Sequence, residues 1–368
     1  MIKVTGKNTF TADRDWLFEF CTCTDADTIS FYNQENQILV SAQSPYRSVY
    51  YQQALTTPLS IGLGVNTQKL TKTVRHLRSG EVSFSFNSNS FNSKKLKLQQ
   101  DNVKVDYPIQ DAHAITKIPQ FVELTGEYKD SLSDSIVKTC ALVPDSTKYM
   151  GVLLDVSDNT TKVFKLSALV ARVFVHPPFL TACRFAIPIS FSEILKKMSV
   201  SGILFSNNVI GVKSEKGTCC WVSLVHDGYP HDYLNYFKLQ DNLQLVATTH
   251  VYVFDKDLLQ NALTLVDAVI GDDGPDVVFT PAGYTNQGLL VWEISGKTIG
   301  HCTASERVMC QDSSKIEREP TAFKLKRKTL LSTIRTQDQN IYMYDLESFL
   351  LISNKERSDV SLLATLPV

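Results

Sequence analysis

The chain contains one layout of elements three times, and this repeat limits the possible folds more than any other feature of the sequence. Each copy is a strand, a helix of about ten residues, and two or more strands. The copies are IGLGVNTQKLTKTVRHLRSGEVSFSF, FAIPISFSEILKKMSVSGILFSNNVIGVK and AFKLKRKTLLSTIRTQDQNIYMYDLESFLLIS. Their apolar anchors share steps of five and then four residues: Val65, Leu70 and Val74; Ile189, Ile194 and Met198; Leu325, Leu330 and Ile334. The copies lie 124 and 136 residues apart, which is a domain-sized interval.

A second helix is predicted ahead of each copy. In the last third, Asp255 is a cap residue for LLQNALTLVDAVI, which carries an apolar face. SLSDSIVKTCALV takes this place in the middle third, and the short DRDWLFEFC in the first. The sequence therefore predicts an α+β fold of three repeated domains, 1–119, 120–240 and 241–368, each with two helices packed on antiparallel sheets.

Composition excludes some classes of protein. With 37 Lys+Arg against 38 Asp+Glu, the 368-residue chain is not a bulk polycation, although basic groups can still be confined to one face. The sequence holds no run of about 18 apolar residues, so no membrane span is predicted. Its first residues lack the apolar core of a signal peptide. We therefore expect a cytoplasmic protein whose 8 cysteines are reduced thiols.

The sequence carries no catalytic or cofactor motif. GxxxxGK[ST], GxGxxG and GxSxG are absent, which argues against nucleotide-binding and hydrolase sites of those types. Cys21 and Cys23, like Cys219 and Cys220, lack the spacing of zinc ligands. The prediction is a protein that is not an enzyme and that uses neither a cofactor nor a metal.

Positive charge is concentrated on the repeated helix. The outward positions are Lys69, Lys72, Arg75 and, at the margin, Arg78 in the first copy; Lys196 and Lys197 in the second; Lys328 and Arg335 in the third. Any amphipathic helix needs a solvated face, and lysines commonly form one. Three equivalent helices that are short of acids instead favour a shared polyanion, because solvated faces usually mix both signs. Contacts of this kind with duplex DNA phosphates are independent of base sequence and sensitive to salt.

Two further segments carry a family resemblance. WVSLVHDGYPHDY (221–233) is similar to an LVDGxFPDY segment, and the final LLATLPV is similar to VVMPMRL with its last two residues missing. Together with the strand and basic helix of each copy, these segments resemble the bacterial-type DNA sliding clamp, the ring-shaped processivity factor of replicative polymerases. The chain looks like a divergent, phage-encoded or otherwise distant member.

The resemblance implies a specific assembly. Each chain would form half of a ring, and two chains would join head to tail as a homodimer around double-stranded DNA. A separate clamp-loader ATPase would load the ring, which would tether the replicative polymerase by a peptide held in an apolar cleft. The cleft residues implied here are Arg172, Pro230, Leu234, Leu366, Pro367 and Val368, and the contacts between subunits are Val269 and Ile270. The alternative is a β-rich viral interaction or structural protein that does not encircle DNA.

Overall fold

The three sequence copies correspond to three passes through one order of elements. The computed structural model describes residues 2–6, 8–56, 61–86, 95–113, 115, 117–141, 151–157, 160–166, 170–178, 183–225, 251–271, 274, 276–298, 302–311, 319–337, 339–346, 349–366 and 368. Within these ranges each pass is a strand, a first helix, four strands, a second helix and three strands, and the first pass has one extra strand at its beginning.

The first pass runs through β1 (Ile2–Gly6), β2 (Thr9–Asp13), α1 (Arg14–Cys23), β3 (Thr28–Gln34), β4 (Gln37–Gln43), β5 (Arg47–Ala54), β6 (Gly62–Asn66), α2 (Thr67–His76), β7 (Glu81–Phe86), β8 (Lys95–Gln100) and β9 (Val103–Pro108). The second comprises β10 (Val122–Leu124), α3 (Gly126–Cys140), β11 (Gly151–Ser157), β12 (Thr160–Leu166), β13 (Val170–His176), β14 (Cys183–Pro188), α4 (Ser190–Lys197), β15 (Val200–Ser206), β16 (Val209–Ser214) and β17 (Cys219–Ser223). The third comprises β18 (Val251–Asp255), α5 (Lys256–Ile270), β19 (Asp276–Tyr284), β20 (Leu290–Lys297), β21 (Thr303–Met309), β22 (Phe323–Lys326), α6 (Arg327–Arg335), β23 (Asn340–Asp345), β24 (Phe349–Ser353) and β25 (Asp359–Ala364).

The helices begin at the caps that the sequence offers. Asp13, Asn66 and Asp255 accept a hydrogen bond from the third residue beyond them and so start α1, α2 and α5. The cap predicted at Asp255 is therefore confirmed. Eight of the nine repeat anchors are buried; Ile189 is half-buried because it stands at the start of α4 in helical conformation, and Ile187 fills the core instead.

Four antiparallel sheets hold the strands, and two of them join successive passes. Sheet A has the order β1-β2-β7-β8-β9, and sheet D the order β21-β20-β19-β22. Sheet B, β10-β15-β16-β17-β5-β4-β3-β6, combines four strands of the second pass with four of the first. Sheet C, β14-β11-β12-β13-β25-β24-β23-β18, combines four of the second with four of the third. Passes are thus linked by continuous backbone hydrogen bonding, through β17 with β5 and β13 with β25.

One small backbone contact occurs in every pass. Two residues after the last strand, the chain forms an isolated antiparallel bridge to the strand that leads into the second helix: Gly64 with Gln110, Ala186 with Val225, and Lys324 with Leu366. Three equal bridges at equal offsets show that the repeat is structural and extends beyond the apolar anchors.

A cation at the start of the first helix also recurs. Arg14 donates from Nε to Val74 O at 3.1 Å, Lys129 Nζ to Val200 O at 2.9 Å, and Lys256 Nζ to Gln337 O at 2.6 Å. Each carbonyl lies at or just beyond the C-terminal end of the second helix in the same pass, where positive charge is stabilising. The first helix therefore uses its leading cation to hold the second helix.

Two compact units divide the chain. Unit 1 contains 1–133 and 188–224, and unit 2 contains 134–187 and 225–368. Sheets A and B with α1, α2 and α4 lie in unit 1; sheets C and D with α5 and α6 lie in unit 2. In unit 2, one cluster of buried side chains from α5, α6 and the inner faces of the two sheets forms the core.

Candidate functional site

The exposed face of α2 is the most strongly cationic helix face in the described chain. Leu70 and Val74 are buried, whereas Lys69, Lys72 and Arg75 are exposed. The helix contains no Asp or Glu, so its own residues do not neutralise these groups. Such a face attracts a polyanion over a distance set by salt, about 10 Å at 0.1 M.

Arg78, predicted at the margin of the outward face of this helix, lies outside α2, which ends at His76. Leu77 adopts an extended conformation and ends α2, and Gly80 then turns the chain with φ 125°. The main-chain N–H and C=O of Arg78 pair with the side chain of Gln100 on β8. Its guanidinium is exposed, but it belongs to a turn and not to the helical row.

The equivalent helices α4 and α6 repeat the pattern in weaker form. Lys196 and Lys197 are exposed at the last turn of α4, with Glu193 exposed one turn earlier. Lys328 and Arg335 are exposed on α6. Arg327, the first residue of α6, is instead buried and forms an ion pair with Asp267 of α5, with Nε 2.8 Å from Oδ1. The sequence prediction of outward cations is thus confirmed as exposure for all three helices.

Unit 1 brings two of the cationic helices to one neighbour. α1 contacts both α2 and α4. Burial raises the pKa of the Cys23 thiol, at the end of α1, to about 12. The nearby ammonium of Lys197 opposes this rise without cancelling it. A thiol held in that state is neutral at physiological pH, so Cys23 acts here as an apolar core residue. α6 lies in unit 2.

Arg172 does not line a cleft. It is 0 % exposed on the helix-facing side of β13, where Nε lies 2.9 Å and Nη2 2.5 Å from the two carboxylate oxygens of Asp359 on β25. Its remaining nitrogen donates to Thr336 Oγ1 at the end of α6. The assignment of Arg172 to a peptide cleft is therefore wrong, because all of these donors are used inside the fold.

The opposite face of sheet C carries a second cluster of apolar side chains, which the sequence analysis missed. All of its members are buried, and they lie on six strands in cross-strand register: Leu153, Phe164, Ala171, Val173, Tyr344, Leu351, Val360 and Leu362. With the core on the other face, β24 is apolar on both sides. That two-sided pattern, visible in FLLIS, is the signal that would have found this face.

The end of the chain is fixed to sheet D. Leu366 N donates to Lys324 O at 2.8 Å, and Leu366 is half-buried, whereas Val368 is exposed. Pro230, Leu234 and Pro367 lie outside the described residues. Of the six predicted cleft residues, only Arg172 is contradicted. Leu366 and Val368 stay predictions, as do the three residues outside the described ranges.

A stripe of α5 presents apolar side chains to solvent. Leu258, Leu265 and Val269 are about half exposed. Leu258 and Leu265, with Met309 of β21, border a groove of about 380 Å³. Ile270 instead points into the core and is 2 % exposed, so its assignment to a subunit contact is wrong. The helical period places it on the buried face, one position away from Val269.

Comparison with solved structures identifies the fold. A DNA polymerase III beta subunit from Thermotoga maritima has a TM-score of 0.75 at 12% identity and covers 98% of this chain and 99% of its own. The DNA polymerase sliding clamp of Bacillus subtilis has a TM-score of 0.75 at 13% identity, covering 99% and 100%. A C. crescentus beta sliding clamp has 0.75 at 14%, also covering 99% and 100%. The chain has the fold of a bacterial DNA sliding clamp. No family model and no curated protein matches the sequence itself.

The sliding-clamp fold confirms the predicted fold class, α+β with repeated pairs of helices on antiparallel sheets. It also disfavours the alternative of an unrelated β-rich viral protein, since clamp structures match nearly the whole chain. Within the described ranges, His, Cys, Asp and Glu side chains form no group of three that could hold a metal ion. None of the helices described has both the length and the apolar character needed to cross a bilayer.

Proposed function

We propose that this protein is a DNA sliding clamp: two copies close head to tail into a ring that encircles duplex DNA and tethers a replicative polymerase without catalysing a reaction. The observation that carries the proposal is the rule by which the passes join. At both junctions, the last strand of one pass pairs with the fourth strand of the preceding pass: β17 pairs with β5, and β25 with β13. The extra strand β1 is not counted.

This rule leaves one strand of each kind at a sheet edge. β9 is the last strand of the first pass and ends sheet A; β21 is the fourth strand of the third pass and ends sheet D. Pairing β21 of one copy with β9 of the next continues the series that the chain already contains. A heterologous contact that closes by rotation produces a ring and satisfies both edges.

The internal junctions also supply a register that we propose for this contact. In both, the first paired residue of the fourth strand lies opposite the third paired residue of the last strand: Ser48 opposite Trp221, and Ala171 opposite Leu362. The corresponding first paired residues in the open strands are Thr303 and Val103. By this rule Thr303 would lie opposite Val105, and Cys302 opposite Asp106, of the partner copy.

The same relation between successive passes indicates which helix would cover the exposed stripe of α5. α1, the first helix of the first pass, contacts α4, the second helix of the following pass. The helix that would follow α5 is α2 of the next copy. Leu258, Leu265 and Val269, each about half exposed, would then be covered. Full burial of such a side chain is worth about 1.5–3 kcal/mol, so each would contribute about half of that.

The cationic second helices supply the proposed DNA contact. The leading cations Arg14, Lys129 and Lys256 of the first helices are used within the fold, whereas Lys69, Lys72 and Arg75 of α2 are exposed. Contacts with phosphate alone position a protein without reading bases, which allows sliding. Topological retention then takes the place of tight binding.

The remaining partners follow from this function. The polymerase peptide would dock on the apolar face of sheet C near Leu366 and Val368, and a loader ATPase would open the ring. Domain boundaries at 119/120 and 240/241 lie between β9 and β10 and between β17 and β18, and the site of action would be the cytoplasm.

A single cysteine tests the ring. Cys302 is exposed in the turn before β21, so Asp106→Cys places a second thiol opposite it across the proposed contact. Mild oxidation of this variant should give a species of twice the 41.2 kDa chain mass on a non-reducing gel. Clamp activity is then read as retention of the oxidised protein on circular DNA after loading and its loss when that DNA is linearised.

Two controls make the result decisive. Asp106→Cys combined with Cys302→Ser should give no cross-link, and Lys97→Cys, one strand inward on β8, should give little. Equal cross-linking in either control would contradict the register, and a chain that stays monomeric in sedimentation at every concentration would contradict the ring.

A further inference from the structure

The first pass has an extra strand that covers the edge of its sheet. β1 pairs antiparallel with β2, with Ile2 opposite Ala12, Lys3 opposite Thr11 and Val4 opposite Phe10. Beneath this cover Phe10 is 0 % exposed and stacks on Phe84 with ring centroids 4.8 Å apart. β1 therefore shows which kind of segment this edge accepts: aliphatic, basic, aliphatic.

β10 is the equivalent of β2 in the second pass. Ala12 stands two residues before α1 and pairs with Val82, six residues beyond α2. Leu124 stands two residues before α3 and pairs with Ile203, six residues beyond α4. Both offsets agree, so Leu124 corresponds to Ala12, Glu123 to Thr11 and Val122 to Phe10.

The edge of β10 is uncovered. Among the described strands β10 has one neighbour, β15, and Val122 is 65 % exposed although its counterpart Phe10 is fully buried. Ile118 and Tyr128, which flank β10 in the chain, are about half exposed as well. An open strand edge beside exposed apolar side chains is the arrangement that binds an added strand in other recognition domains.

We infer that the β10 edge is a docking site for an extended segment of a partner protein, which adds to sheet B as an antiparallel strand in the place that β1 has in sheet A. The segment carries two aliphatic residues two positions apart, opposite Leu124 and Val122. The residue between them is basic, as Lys3 is at the equivalent place in β1, and it lies opposite Glu123. The Glu123 carboxylate forms an ion pair with Lys213 at 3.0 Å and, being partly exposed, has room for a second cation. Opposite charges in such cross-strand pairs are favourable.

The probe is a synthetic peptide, KIKVTGK, with a fluorophore at one end and a benzophenone at the other. On the full-length protein it should bind saturably in fluorescence anisotropy, and its cross-links should map to residues 118–128. Val122→Asp should weaken binding about tenfold, because a charge replaces the apolar contact. Tyr284→Asp, at a similarly exposed aromatic residue on β19, is the matched control and should leave the affinity unchanged.

Main-chain pairing has its own readout. N-methylation of Ile and Val in the peptide blocks one hydrogen-bonding edge, and N-methylation of the central Lys blocks the other. One of these peptides should lose binding and the other keep it, and replacing that Lys by Glu should weaken binding by about twofold to fivefold. Absence of saturable binding up to about 1 mM, equal loss with both methylated peptides, or binding that ignores Val122→Asp would each overturn the inference.

Discussion

At the scale of single residues, burial decides which charged groups are available for function. Arg172 and Arg75 are indistinguishable as arginines on predicted elements, yet Arg172 is buried and paired with Asp359 whereas Arg75 is exposed. The Asp359 partner lies 187 positions away in sequence, so local pattern could not reveal it. Exposure on the amphipathic helices was predictable because helical period alone separates the two faces.

Removal of one partner of the buried ion pair should cost much stability. Arg172→Met leaves the Asp359 carboxylate without its two nitrogen donors in a buried site, and the expected loss is about 3–5 kcal/mol in the free energy of unfolding. The double variant Arg172→Met with Asp359→Leu should recover most of it, because no unpaired charge remains. Urea denaturation of the three proteins measures both values; equal loss in the single and double variants would contradict the ion-pair explanation.

His176 should make stability depend on pH. Burial lowers the pKa of His176, with the Asp134 carboxylate opposing this, and Ser135 Oγ lies 2.7 Å from its Nε2. An unfolded histidine titrates near pH 6.5, so the unfolded chain takes up the proton first. The contribution of His176 is therefore complete above about pH 6.5 and is lost as pH falls through the folded pKa. The urea midpoint should fall more between neutral and acidic pH in the wild type than in His176→Gln. An equal fall in the two proteins would refute this explanation.

At the scale of elements, the sequence predicted what local periodicity encodes and missed what pairing creates. All six helices of the described residues were predicted, including the short α1 and the cap at Asp255. β9 and β21 were missed. TASERVM lacks a clear alternation of apolar and polar residues, whereas VKVDYP has one over only five residues and was overlooked; both are edge strands with exposed polar residues. These two strands form the proposed contact between subunits. Strands that pair with another copy are sheet edges in the single chain, which is why their residues are exposed there.

The α2 cations should dominate the salt dependence of DNA binding. Replacement of Lys69, Lys72 and Arg75 by Ala removes up to three phosphate contacts from each chain, and therefore up to six from a ring of two copies; each contributes about 0.9 to the slope of log K against log salt. The expected slope is shallower by up to about 5 in titrations of a short duplex at several salt concentrations. The control replaces Lys95, Lys117 and Lys355, exposed lysines outside the helices, with the same change in net charge. If the control lowers the slope as much as the α2 variant does, the effect comes from overall charge and not from α2.

At the scale of the whole molecule, repetition carries the argument from fold to assembly. Two internal junctions with the same pairing rule predict a third, between copies, without any appeal to a relative. The apolar anchors revealed the repeat in the sequence. The registers at the junctions could not be derived from the sequence, because the hairpin turns before β9, β17 and β25 differ in length.

A single charge on α5 should separate the subunits. Leu265→Asp changes a side chain that is half exposed in the single chain, so the fold should persist, whereas burial of the new carboxylate against a second copy is costly. Sedimentation should show a shift from twice the chain mass to the chain mass, with an unchanged circular dichroism spectrum. Tyr284→Asp serves again as the control for an exposed site away from the stripe. A Leu265→Asp variant that sediments like the wild type would contradict the proposed coverage of α5.

Sheets B and C each take four strands from one pass and four from the next. One pass therefore cannot be separated from the next as a complete domain, since the separation divides a sheet and leaves two strand edges without hydrogen-bonding partners. The gene could gain or lose a whole pass only if the new borders still matched, as β17 matches β5 and β25 matches β13. Lengthening or shortening the chain by one unit of the repeat is thus allowed in principle, whereas a break within a unit is not.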